Sequence, residues 1–211
     1  MPKYNNLSLS KMAKIIPVIV LFVLIFRPFS GYCDTLTVHF LYGSKPAKGH
    51  KTTESKWFGG LHGGHVTIQL GAYLYGFGPS GSGQVFSHRK KFRSYFQKES
   101  YASWVRDTAQ MKYMSIKIPV DTVLLDSLQQ IFDRWVESTP HDYAFFGMRC
   151  ASTAYNGLSK IGVVHKRGRF GMTYKYFYPK LLRKYLLKKS KSRKWSVIAH
   201  RGRKTRKWEG D

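Results

Sequence analysis

The chain has 211 residues and a formal net charge of +25, from 36 Lys and Arg against 11 Asp and Glu. Hydrophobic residues at 43% and aromatic residues at 16% exclude a disordered chain, and the length suits one core of ordinary size rather than two domains. The basic excess implies a polyanionic neighbour or surface without specifying a fold.

At the N-terminus, Lys3, Lys11 and Lys14 precede an apolar run of twelve residues, Ile15 to Phe26. As a helix this run measures about 18 Å, short of a hydrocarbon core of roughly 30 Å. Residues 1–33 therefore read as a secretory signal peptide, with Gly31 and Cys33 as the small residues before a cut at Asp34. A retained N-terminal anchor is the alternative. Both place the protein outside the cytoplasm, in the periplasm or cell envelope. Cleavage leaves Cys150 as the sole thiol of an exported chain, where a leftover cysteine is a candidate reactive group. Retention of Cys33 leaves a Cys33–Cys150 disulfide open.

From Thr35 to Leu41, apolar Leu36, Val38 and Phe40 alternate with polar neighbours, as in a half-buried strand. After a loop from Gly43 to Ser55, a glycine turn feeds a strand that begins at His65 and ends at Leu70. Gly71-Ala72 then turns the chain into a second strand, Tyr73 to Phe77, and the two form a hairpin. The loop from Gly78 to Gly83 lacks the Gly-Lys-Ser/Thr of a nucleotide-binding loop. Gln84 to His88 is predicted as a third strand, and the run Arg89-Lys90-Lys91 as a solvated face. Met111 to Val120 alternates as a strand. Asp121-Thr122 caps a helix reaching Ser138, with Val123, Leu124, Leu128, Ile131, Phe132, Trp135 and Val136 as its core stripe.

The segment from Tyr143 to Gly162 holds the chemistry. Cys150 opens a helix whose apolar face is Ala151, Ala154, Leu158 and Ile161, with Gly162 as its stop. The unsatisfied N–H groups of a first turn and the charge of Arg149 both favour the thiolate. Packing as a small buried apolar side chain is the competing reading of Cys150. His62 and His65 have a His-x-x-His spacing, but two glycines lie between them and no acidic or cysteine ligand is near. Neither a metal nor a cofactor is expected. From Lys160 onward the chain turns basic, with eighteen of its 36 Lys and Arg. Residues 188–211 read as a solvated tail that contacts an anionic membrane or polymer; in an exported chain a surface polyanion is favoured over nucleic acid.

Two of these stretches resemble a known family. Gly63-Gly-His-Val-Thr-Ile-Gln-Leu-Gly71 is similar to the His-strand of the NlpC-type papain-like cysteine peptidases. Tyr143, followed after six residues by Cys150-Ala-Ser-Thr-Ala-Tyr-Asn-Gly-Leu158, is similar to their Cys-helix. The histidine precedes the cysteine, as in the circularly permuted branch that includes lecithin:retinol acyltransferase-like proteins and bacterial permuted amidases. The resemblance covers residues 35–162. It implies an α+β fold, an antiparallel sheet packed against helices, over residues 34–187.

The resemblance also implies a thiol hydrolase or acyltransferase acting on an amide or ester of the cell envelope, either a peptidoglycan peptide or a lipid. Cys150 is then the nucleophile, His65 the base, and the Tyr143 hydroxyl an oxyanion donor beside the Cys150 N–H. The family's third, polar residue stands on the strand after the His-strand, where Tyr73 to Phe77 offers only tyrosines. His88, ahead of Gln84, is the substitute on chemistry. Arg149 stands where the family often has Asp or Asn. These departures leave a second expectation, a non-catalytic envelope protein that binds an anionic polymer or membrane through its basic C-terminal part.

Overall fold

A central strand with partners on both sides organises the molecule. The computed structural model describes residues 33–54, 63–81, 83–88 and 92–210. Residues 1–32, most of the expected signal peptide, and likewise His62 and the basic run 89–91, lie outside the described residues. Strand β1 (Cys33–Tyr42) pairs antiparallel with β3 (Gly64–Leu70) on one side and with β6 (Tyr113–Asp121) on the other. Strands β4 (Tyr73–Pro79) and β5 (Ser94–Ser100) extend the sheet beyond β3, and β7 (Ser196–His200) extends it beyond β6. The order is β5-β4-β3-β1-β6-β7, antiparallel throughout. A second, two-stranded sheet joins β2 (Ser44–Pro46) to β8 (Arg206–Trp208).

Period-2 patterning divides the sheet's two faces. Leu36, Val38 and Phe40 of β1, Val66, Ile68 and Leu70 of β3, and Ile116 and Ile118 of β6 are buried in the main core. Helix α2 (Thr122–Glu137) adds Leu125, Leu128 and Phe132 to that core, and α3 (Cys150–Lys160) adds Ala151, Ala154, Tyr155 and Leu158. Met172 comes from α4 (Arg169–Lys175), and Leu182 and Leu186 from α5 (Pro179–Arg193). On the opposite face Leu41, Leu74 and Trp104 make a smaller cluster beneath α1 (Tyr101–Thr108). The expected α+β architecture is therefore observed. Asp121 caps α2 as expected, its carboxylate accepting from the Val123 N–H at 2.8 Å.

Two expectations are corrected. Gln84 to His88 is not a strand but a bent segment. Its Gln84 and Val85 carbonyls accept from the N–H groups of Phe145 and Phe146, at 2.8 and 2.9 Å. The larger correction concerns residues 188–211, which are not a solvated tail. They contain the last turns of α5, the edge strand β7, and β8. Arg206, Trp208 and Glu209 are buried. What folds this segment is charge pairing rather than apolar periodicity. Arg206 donates to Ser44 at 2.9 Å and to Glu54 at 2.6 Å. Arg183, lying 3.8 Å from the Tyr42 ring centroid, donates to Glu209 at 2.9 Å. Among the described residues no helix is long and apolar enough to cross a membrane.

The Arg183–Glu209 pair gives a direct check on the C-terminal segment. Removing one partner of a buried ion pair strands the other charge, which costs about 3–5 kcal/mol. Glu209→Ala is expected to lower the unfolding free energy measured in urea by an amount in this range, and with it the midpoint. A midpoint equal to that of the parent protein returns the segment to the role of a solvated tail.

Candidate active site

The site forms where the sheet splits. The β3–β4 ladder runs from Leu70↔Tyr73 only to Thr67↔Gly76, while β4 continues alongside β5 as far as Pro79↔Ser94. Val66 therefore has no partner on β4. Its N–H turns to the sulfur of Cys150, the first residue of α3. The turn before the strand depends on Gly64, which has φ +107; a Cβ there would stand 2.5 Å from the Leu41 carbonyl oxygen.

The backbone N–H groups of Val66 and Ala151 and the hydroxyl of Tyr143 lie about the Cys150 sulfur and favour its thiolate. Arg149 stands beside the Tyr143 hydroxyl and draws its pKa down. Cys150 is a free thiol and is buried, so no Cys33–Cys150 bridge is formed. Burial pushes its pKa above the ordinary value of 9, against the pull of Arg149 and of the three donors. The lowering expected from the helix terminus and Arg149 is thus present but outweighed, because desolvation of an anion is the larger effect at a buried sulfur. Burial likewise pushes the Tyr143 hydroxyl up.

His65 and Val66 point to opposite faces of β3. Val66 is in the core with α3, while His65 lines a cavity of about 610 Å³ together with Thr67, Gln97, Tyr143 and Arg149. The His65 ring lies over Gly76, where a Cβ would stand 3.2 Å from its Nε2. Burial lowers its pKa to about 4, so the imidazole is neutral at pH 7 and able to accept a proton. The structure thus brings Cys150 to Val66 and Tyr143, while the His65 ring lies on the other face of β3, in a cavity that Tyr143 and Arg149 also line.

His88 is placed differently from the sequence expectation. It stands exposed on the bent segment, with its backbone N–H donated to Asp142 at 2.8 Å. Gln84 donates to the same carboxylate. Of the tyrosines on β4, Tyr75 donates to Asp133 on α2 at 2.8 Å, and Tyr73 is exposed. A polar side chain that does share the cavity with His65 is Gln97 on β5. It pairs opposite Gly76 and donates to Glu99 at 3.4 Å.

Sequence reasoning missed two supports of the site. Asp142 is completely buried and accepts from the N–H groups of His88 and Arg93 and from the side chains of Gln84 and Ser94. Burial alone would raise its pKa, but these bonds hold it below the usual carboxylate value. The second is His141, packed edge-on to Phe77 at 5.0 Å between centroids, with its Nε2 2.9 Å from the Thr153 hydroxyl on α3. The Pro-His-Asp-Tyr run before Cys150 was the available signal. No candidate metal cluster of three His, Cys, Asp or Glu occurs among the described residues.

Three histidines are held at about pKa 4 by burial: His39, bonded to Ser115 and Gln69, together with His65 and His141. Between pH 6.5 and 4 the unfolded chain binds protons at these rings that the folded chain does not. Stability is therefore complete above pH 6.5 and declines as pH falls through that window, by up to about 1.4 kcal/mol per histidine per pH unit. Urea midpoints measured from pH 7 to 5 should fall steadily; a flat profile excludes buried neutral histidines. No family model, curated protein or solved structure matches this chain.

Proposed function

We propose that the protein is an exported thiol hydrolase or acyltransferase of the permuted papain-like type, acting on an amide or ester of the cell envelope. The observation that carries this reading is the convergence of two backbone N–H groups and the Tyr143 hydroxyl on the free thiol of Cys150. That thiol sits at a helix start, against β3, the strand that carries His65. In this reading the thiol proton passes to the neutral imidazole of His65, and the sulfur attacks the carbonyl carbon. The Cys150 N–H and the Tyr143 hydroxyl receive the developing oxyanion. The tetrahedral intermediate collapses to a thioester as His65 returns the proton to the leaving amine or alcohol. Water, or an acceptor hydroxyl or amine, then attacks the thioester and restores the thiol.

Labelling of the native protein with iodoacetamide tests this. Cys150 is expected to react, at a rate still climbing past pH 9 because burial raises the thiol pKa. His65→Ala should slow the reaction at pH 7 by about 100-fold, in line with loss of a general base, and Tyr143→Phe should slow it by less. Labelling indifferent to His65 identifies an ordinary thiol and removes the catalytic reading.

A second reading, binding of an anionic membrane or polymer, is favoured by one surface feature. Phe145, Phe146, Phe170, Tyr174 and Phe177 line a groove of about 440 Å³, and Phe170 and Tyr174 are 82% and 80% exposed. Exposed aromatic side chains on a chain of net charge +25 suit an anionic lipid interface. Salt-sensitive co-sedimentation with phosphatidylglycerol vesicles, lost in a Phe170→Ala/Tyr174→Ala double variant, is the expected result. Binding that survives the double variant removes the groove from the interaction.

A further inference from the structure

Arg149, which is half-buried, stands apart from the buried arginines. Arg183 is bonded to Glu209, and Arg206 to Glu54 and Ser44. Arg149 meets no carboxylate among the described residues. Its guanidinium stands beside the Tyr143 hydroxyl and draws its pKa down, while Nε and Nη1, on opposite edges of the group, are buried without a hydrogen-bond partner among the described residues. Three aromatic rings hold the cation, with centroids 4.5 Å away for Phe177, 5.4 Å for Tyr178 and 5.5 Å for Phe145. These rings stabilise the charge but supply no oxygen to the two N–H groups. With no carboxylate beside it, the charge is left to be balanced by an anionic partner from the cavity.

The position narrows what that molecule is. Arg149 lines the cavity that holds His65 and Tyr143, and it is close enough to Cys150 to draw down the thiol pKa. A guanidinium on the cavity wall with no carboxylate beside it suits the oxygens of a carboxylate or a phosphate. We propose that Arg149 anchors an oxyanion-binding subsite, so that the molecule processed at Cys150 carries a carboxylate or phosphate group that pairs with the Arg149 guanidinium. This rests on the reading of Cys150 as the reactive thiol, and it selects an anionic substrate over a neutral one.

The test compares two alkylating reagents that differ mainly in charge, iodoacetate and iodoacetamide. The rate ratio of iodoacetate to iodoacetamide at Cys150 is measured at fixed ionic strength in the parent protein, Arg149→Gln and Arg149→Lys. The ratio is expected to fall about ten-fold in Arg149→Gln, as for loss of a charge-assisted hydrogen bond. Arg149→Lys, which keeps the charge but not the fork, should lie between. Sodium acetate and inorganic phosphate, added separately, should protect the parent protein and not Arg149→Gln; the anion that protects at lower concentration names the source.

An unchanged ratio in Arg149→Gln overturns the subsite while leaving the thiol reading intact, provided iodoacetamide labelling still depends on His65. If iodoacetamide fails to label the folded protein, the thiol reading falls first. Calorimetric titration of the parent protein and Arg149→Gln with phosphate then decides the subsite, and equal uptake overturns it. Should Arg149→Gln lose the parent circular dichroism spectrum, Arg149→Lys carries the same comparisons.

Discussion

A shortage of carboxylates governs this molecule. With 36 basic side chains and 11 acidic ones, a cation that enters the interior must share a counter-charge or find another partner. The acids are accordingly used several times over. Glu54 receives Arg203, Thr205 and Arg206; Glu209 receives Arg183 and Lys180; Asp133 receives Lys98 and Tyr75. Each sharing ties segments far apart in the chain, so electrostatics here does part of the topological work that apolar periodicity does elsewhere. Asp142 follows the same economy with neutral donors, gathering a loop and a strand edge onto one carboxylate. Arg149 is the conspicuous departure, a partly buried cation held by rings.

The candidate site arises from a second local constraint, the parting of β3 from β4. A strand that loses its neighbour must place its backbone N–H groups elsewhere, or leave them unpaired at a cost. Here the Cys150 sulfur takes up the Val66 N–H. The same arrangement that satisfies the strand therefore brings the first turn of α3 to the edge of the cavity. Burial makes both thiol and imidazole neutral in the resting protein.

How much of this could be read from the chain depends on which force orders each element. β1, β3 and β6 were legible because alternation of apolar residues is a direct consequence of one buried face, and β4 because the Gly71-Ala72 turn announces a hairpin. α2 was legible from its Asp121 cap, but its stripe is narrower than expected: Leu128 and Phe132 are buried, whereas Val123, Leu124 and Val136 are exposed. β5 was not legible, since of Ser94 to Ser100 only Phe96 is buried. α1 was missed because its start rests on one serine, Ser100, bonded to the Ser103 N–H. The C-terminal elements escaped because their buried residues include Arg183, Arg206 and Glu209, charged types that carry no hydrophobic signal. At the site, Cys150 and His65 stood out through their flanking patterns. The placing of His88 on a bent segment, and the unmet donors of Arg149, depend on contacts between distant segments that no local pattern encodes.

The position of β1 between β3 and β6 has a consequence for how the chain reaches its native state. The β3–β4 hairpin is local and can form first, yet β1 completes its other flank only when residues 113–121 arrive, and the sheet gains its last strand only with residues 196–200. Helix α3, buried along nearly its whole length, has nothing to pack on until that sheet exists. Closing such long loops before the contacts reward it slows assembly. During that interval β1 and α3 expose their apolar surfaces together. The high net positive charge then serves a kinetic end, since mutual repulsion keeps unfinished chains apart while the sheet closes.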